Sequence, residues 1–197
     1  MSRRSEYALT DGGSYLVRDE RPDDHDQVRR VQNAAFANHQ GRVGDLVDAL
    51  RAGLRRSDGL SLVATVKDEV VGHVMFTRCL LDAPQRLVDV QVLSPVGVLP
   101  ERQRQGIGSM LITTGLHLLN ARGVPLVFLE GSASYYRRFG FVAGAELGFV
   151  KPSLRIPDEA FQVKRLEGYE SWMTGTLVYP QTFWDLDLVG LRQPRAR

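Results

Sequence analysis

The stretch from Val88 to Gly108, Val-Asp-Val-Gln-Val-Leu-Ser-Pro-Val-Gly-Val-Leu-Pro-Glu-Arg-Gln-Arg-Gln-Gly-Ile-Gly, constrains this chain more than any other. Val88, Val90 and Val92 alternate with Asp89 and Gln91, a period of two that predicts a strand with one face on a core. Pro95 has no N–H to give to a ladder, so the strand is expected to bulge there, or to part from a neighbour, before resuming at Val96 to Val98. A loop from Leu99 to Gln105 then carries Arg102 and Arg104 and ends in Gly106-Ile107-Gly108. A helical pattern starts there and runs to about Arg122. It has Ile107, Met110, Leu111, Leu118 and Leu119 on one face and Ser109, Thr113 and Asn120 on the other.

Glycines let a backbone come close to a ligand, and the first free N–H groups of a helix, at the positive end of its dipole, make an anion site. Two guanidiniums stand nearby, so a phosphorylated cofactor is the expectation. A P-loop needs Gly-x-x-x-x-Gly-Lys-Ser/Thr, and this stretch has no such lysine. A dinucleotide fingerprint needs a third glycine where Leu111 stands. Gln103-Arg104-Gln105-Gly106-Ile107-Gly108 instead resembles the Gln/Arg-x-x-Gly-x-Gly/Ala signature of the GNAT superfamily of N-acetyltransferases. The valine-rich strand with Pro95 before it, and Tyr135-Tyr-Arg-Arg-Phe-Gly-Phe141 after it, supply the context of that resemblance. The tail Phe161-Gln-Val-Lys-Arg-Leu166, followed by Gly175-Thr-Leu-Val-Tyr-Pro-Gln-Thr-Phe183, is similar to the C-terminal extension of the bacterial YhbS-type subgroup.

The remaining chain is ordinary for a soluble globular protein: 197 residues, 43% hydrophobic and 24% charged, enough for one domain with room for an appendage. A formal charge of +2, with basic residues scattered among acids, speaks against a nucleic-acid partner. Cys79 is the only cysteine, which excludes an internal disulfide and a cysteine-based metal site; His25, His39, His73 and His117 show no ligand spacing, so no metal is expected. No apolar signal core and no run of about eighteen apolar residues is present, and the reading is cytoplasmic, without a membrane partner.

In chain order, Ser14 to Arg18 reads as a strand. Pro22-Asp23-Asp24 opens a helix through about Phe36, with Val28, Val31 and Ala35 at helical spacing. A second short helix, about Asp45 to Arg55, presents Leu46, Leu50 and Leu54. Leu60 to Val66 and Val70 to Thr77 form a hairpin around Asp68-Glu69. Val124 to Leu129 is nearly all apolar, as expected of a strand parallel to the Val88 strand and covered on both faces. Ser132 to Arg138 reads as a short helix closed by Gly140, and Phe141 to Ala143, Phe161 to Leu166 and Thr174 to Tyr179 as strands.

This order is also what the resemblance implies. The implied fold is α/β (α+β): a mixed, mostly antiparallel central sheet with a splayed parallel strand pair, flanked by helices, plus a small β-containing extension. Residues 1–13 are read as a polar tail, 14–144 as an acetyl-CoA-binding core and 145–197 as an extension packed on it. The implied cosubstrate is acetyl-CoA. It would be held by Val96, Gly97, Val98, Arg102, Gln103, Arg104, Gln105, Gly106, Ile107, Gly108 and Ser109. Its pantetheine arm would pair with the strand at Val96 to Val98, and the Val98 N–H, or a neighbour, would hold the thioester carbonyl.

Acetyl transfer needs a neutral amine, a polarised carbonyl and a proton for the leaving thiolate. Tyr136, four residues before Gly140, matches the family tyrosine that gives this proton, with Tyr135 as alternate; packing on the sheet is the plain alternative. Glu130 ends the apolar strand and is the expected general base, a capping role being equally open. Asp89 and Gln91, expected to point together, rank lower. His73 reads as structural and Cys79 as a small buried hydrophobe rather than an acetyl-cysteine nucleophile, so direct attack on acetyl-CoA is preferred. His39 and Arg42 either border the acceptor pocket or are solvated loop residues. The leading expectation is transfer of acetyl to a primary amine of a small molecule or protein. The alternative is a non-catalytic acyl-CoA-binding regulatory module, and exposed tail aromatics would permit a homodimer.

Overall fold

The computed structural model describes residues 7–9, 15–53 and 58–190. Two compact units divide it. One comprises residues up to Thr77 together with Leu93–Leu119, the other Arg78–Val92 together with residues from Asn120 onward.

In the first unit, β1 (Tyr7–Leu9), β2 (Tyr15–Asp19), β3 (Gly59–Val66) and the first part of β4 (Glu69–Asp82) form an antiparallel run, each strand pairing with the next. β1 falls within the stretch read as a polar tail, where its tyrosine, alanine and leucine give too short an alternation to be noticed. Lys67 and Asp68 both take positive φ, 47° and 66°, the backbone that a two-residue hairpin turn requires between β3 and β4. Helix α1 (His25–Ala35) buries Val28 and Val31, and α2 (Arg42–Gly53) buries Val43, Leu46, Val47 and Leu50. The Leu54 and Arg55 end expected for α2, and Ser14 ahead of β2, lie outside the described residues. The last residues of β5 (Leu87–Val98) lead into α3 (Ile107–Ala121), whose Ile107, Leu111, Ile112 and Leu119 are buried.

In the second unit β6 (Leu126–Glu130) pairs in parallel with β5, through Gln91↔Val127 and Val92↔Phe128. This register stops there although both strands continue, β5 to Val98 and β6 to Glu130. β5 itself stays extended through Pro95, whose peptide bond with Ser94 is cis. Short helix α4 (Ala133–Tyr136) and β7 (Val142–Ala143) follow. Beyond them, β8 (Phe149–Val150), β9 (Phe161–Arg165) and β10 (Gly175–Val178) lead to α5 (Gln181–Asp185). β9 lies antiparallel to both β6 and β7, so strands from either side of residue 144 share one sheet. β10 pairs antiparallel with the end of β4 and parallel with β8, a second parallel pair that the sequence reading did not anticipate. Phe128 anchors the interior, with its ring 5.2 Å from Phe149 and 5.7 Å from Phe161.

Asp89 and Gln91 do not share an environment. Asp89 is exposed and ion-paired with Arg78, whereas Gln91 is buried. Position 91 lies where β5 pairs in parallel with β6, and there the sheet is covered on the second face as well.

Candidate functional site

The loop after β5 is built to present main-chain donors. Leu99 N–H donates to the Val71 carbonyl at 3.0 Å, and the Arg102 and Gln103 N–H groups donate back to Leu99 and Pro100, which closes a tight turn. Arg104 and Gly106 then take positive φ, 61° and 83°. That conformation strains any residue with a Cβ, most of all a bulky one, which accounts for the glycine at 106. The first helical bond of α3 runs from Met110 N–H to Gly106 at 2.9 Å. Among the described residues the N–H groups of Arg104, Gln105, Gly106, Ile107, Gly108 and Ser109 donate to no protein acceptor. They include the orphan donors of a helix N-terminus, where the dipole favours an anion. Arg102 and Arg104 form no ion pair among the described residues, so their positive charge is available there too. Gln105 is steadied by the Tyr15 hydroxyl and by the Glu101 carbonyl, and Gln103 caps the Val98 carbonyl at 3.2 Å.

Along β5 the pleat alternates: Pro95, Gly97 and Leu99 are buried, while Val96 and Val98 are half-buried. Leu99 faces β4 through its bond to Val71, so alternation turns the Val98 N–H toward the opposite edge of the strand. An open N–H at that edge can polarise a carbonyl, and a run of N–H groups at a helix start can hold a diphosphate.

In the second unit Tyr136 closes α4, its ring 4.9 Å from Tyr135 and 5.9 Å from Phe141, both edge-on. Burial, reinforced by Tyr135, pushes its hydroxyl well above the usual phenol range. Among the described residues that hydroxyl has no hydrogen-bond partner. It is thus a protonated donor at neutral pH. Tyr135 is tied instead to Arg138, whose guanidinium lies 4.6 Å above its ring. Glu130 accepts from the Tyr179 hydroxyl at 2.9 Å and from the Gly190 N–H at 3.1 Å. Burial raises its proton affinity, while Tyr179, Gly190 and Arg155 oppose the rise.

Cys79 is buried, and burial pushes its thiol far above the ordinary range, so it offers no thiolate nucleophile. His39, on the stretch joining α1 to α2, is exposed and packs edge-on against Phe36 at 5.9 Å, and Arg42, the first residue of α2, is also exposed. His73 is fully buried. Its Nδ1 meets Gln32 Nε2 at 2.7 Å and its Nε2 meets Ser61 Oγ at 2.9 Å, and Ser61 in turn donates to Glu20. Gln32, Ser61 and Glu20 were not singled out from sequence: they lie on separate elements and carry no local pattern.

A sequence profile described as "Acetyltransferase (GNAT) domain" matches residues 17–144. The uncharacterized N-acetyltransferase YjhQ of Escherichia coli (strain K12) is 35% identical over 137 residues, spanning 69% of this chain and 74% of that protein. Among solved structures, a GNAT family acetyltransferase from Brucella melitensis in complex with acetyl-CoA superposes with a TM-score of 0.69 at 34% identity, covering 86% of this chain and 97% of that one. The YhbS N-acetyltransferase of Escherichia coli in complex with CoA gives a TM-score of 0.77 at 27% identity, covering 90% and 96%. The mixed, mostly antiparallel open sheet with its parallel pair is the fold these structures share.

Proposed function

The chain belongs to the GNAT acetyltransferase family, and on that premise we propose that it moves the acetyl group of acetyl-CoA directly onto a primary amine of a small molecule or protein. The observation that carries this reading is the row of main-chain N–H groups from Arg104 to Ser109 that, among the described residues, have no protein acceptor and are flanked by two guanidiniums without an ion pair. Such a row fits a diphosphate, and the relatives solved with acetyl-CoA or CoA support that occupant. Bound there, acetyl-CoA supplies an activated thioester. The N–H groups of Arg104, Gln105, Gly106, Ile107, Gly108 and Ser109 hold its phosphates, with the Arg102 and Arg104 guanidiniums adding charge; Gln103, expected to join them, instead closes the turn through Pro100 and Val98. Val96 and Val98 offer an open strand edge to its pantetheine arm, with Gly97, whose own peptide groups face β4, between them.

The amine nitrogen attacks the thioester carbon; the C–N bond forms, the C–S bond breaks, and the amine's proton must leave while the sulfur gains one. Val98 N–H stabilises the carbonyl oxygen. Tyr136 O–H donates to the departing sulfur. The sulfur leaves as a thiolate of roughly pKa 8.5 that accepts this hydrogen bond, and it takes its proton from solvent as CoA departs, while the phenol keeps its own. Glu130 receives the amine proton: each of its oxygens accepts one hydrogen bond and keeps a lone pair, and burial favours its protonated form. Cys79 takes no part, which leaves direct transfer rather than an acetyl-enzyme. Among the described residues no helix is long and apolar enough to cross a membrane. The proposed setting is the cytoplasm.

The test is thermal unfolding with and without millimolar acetyl-CoA, followed by thiol release with a panel of amines. At about a hundredfold its Kd the ligand adds roughly 2.7 kcal/mol, so Tm should rise clearly. Gly106→Glu, which sets bulk and negative charge at the phosphate site, should abolish the rise. An unchanged response in that variant would remove the loop from the site. Binding without CoA release for any amine would favour the regulatory module. Tyr136→Phe should lower kcat by about a hundredfold or more with little change in acetyl-CoA affinity, and unchanged turnover would exclude it as the acid.

A further inference from the structure

Gly97 has no side chain, and the space a Cβ would take is filled by an amide. The Oε1 of Gln32 lies 2.6 Å from where that Cβ would be, with Ala35 Cβ at 3.1 Å. Gln32 is fully buried, and among the described residues its Oε1 has no hydrogen-bond partner. An orphaned buried acceptor is costly, so its orientation must be fixed from elsewhere. It is fixed by Nε2, which donates to His73 Nδ1 at 2.7 Å and to the His73 carbonyl at 3.3 Å. Ser61 donates to Glu20, so Ser61 Oγ accepts from His73 Nε2–H. That tautomer leaves Nδ1 as the acceptor for Gln32. Glu20 is in turn held by Arg51 through Nη2 at 2.7 Å and Nε at 3.1 Å. The antiparallel ladder that joins Leu99 to Val71, carried back two residues, sets Gly97 opposite His73. A continuous chain, Arg51 to Glu20 to Ser61 to His73 to Gln32, thus ends against the strand segment from Val96 to Val98.

We infer that Gln32, oriented by His73, is a positioning residue for acetyl transfer: it braces β5 at Gly97 and so sets the direction in which the adjoining Val98 N–H meets the thioester carbonyl. This rests on the acetyl-CoA reading above. A residue that merely filled space would affect stability and leave the bound carbonyl untouched. A brace would change how strongly that carbonyl is polarised.

The measurement is the infrared carbonyl band of acetyl-CoA labelled with ¹³C at the acetyl carbonyl, bound to the wild-type chain, to Gln32→Leu and to Gly97→Ala. The wild type should show a band shifted to lower frequency than free acetyl-CoA. In Gln32→Leu the shift should be at least halved and kcat should fall about tenfold or more, while KM for acetyl-CoA stays within about twofold. Gly97→Ala, which displaces the amide from the opposite side, should give the same pattern and serves if Gln32→Leu does not fold. A folded Gln32→Leu that binds acetyl-CoA with the wild-type band and kcat overturns the positioning role alone. A wild type that binds no acetyl-CoA overturns the transferase reading and this role together.

Discussion

Glu20 in the first unit and Glu130 in the second are both carboxylates withdrawn from water, yet their partners differ in kind. Glu20 meets a full positive charge, Arg51, as well as the Ser61 hydroxyl. Glu130 meets a phenol and a peptide N–H, with Arg155 acting only at a distance and itself paired with Asp187 at 2.8 Å. Neutral donors satisfy hydrogen-bonding capacity without cancelling charge, and this leaves Glu130 with raised proton affinity. One fold therefore contains a carboxylate suited to holding structure and another suited to accepting a proton.

The comparison breaks most readily at Arg51. Arg51→Met should cost about 3–5 kcal/mol, because it strands a buried carboxylate. Urea unfolding measures it, and a loss below about 1 kcal/mol would mean that Glu20 is as weakly matched as Glu130. Acid sharpens the contrast next. Desolvation, partly offset by Glu20, pushes His73 down to about 4. The unfolded chain then binds a proton that the folded one refuses. Stability from His73 is complete above the unfolded value of about 6.5 and falls by about 3 kcal/mol as pH drops toward 4. Glu130 works in the opposite sense. Its raised folded pKa contributes stability that is present at low pH and lost as pH rises through that pKa. Glu130→Gln removes this offset and should make the acid-induced loss steeper; parallel denaturation curves from pH 7 to 4 would contradict the raised affinity. The smallest effect is expected for Tyr179→Phe, about 1–3 kcal/mol for one hydrogen bond to a buried carboxylate. A loss equal to that of Arg51→Met would erase the distinction between the two centres.

The parts that were legible in sequence are those in which local spacing carries the physics. The valine alternation gave β5, the glycine pair gave the start of α3, and the apolar run gave β6, because each pattern is complete within one element. The loop's open donors were legible for the same reason, since peptide N–H groups at a helix start need no distant partner. The burial of Gln91 is not legible in the alternation, because an interior strand of a parallel pair is covered on both faces by parts of the chain remote in sequence. The chain from Arg51 to Gln32 was invisible because it is assembled from four separate elements and the residue that follows β2, and contains no motif. Glu130 was named, but Tyr179 and Gly190, which occupy its oxygens, come from a tail with no chemical signature.

The proposed grip between Arg104 and Ser109 would be delivered by peptide groups, which every amino acid except proline supplies. Codon changes that spare the guanidiniums at 102 and 104 should therefore pass largely unnoticed by the bound cosubstrate, with position 106 the conspicuous exception. Evolutionary adaptation to other acceptors is thereby free to rewrite the surrounding surface without renegotiating the handle by which the donor is carried.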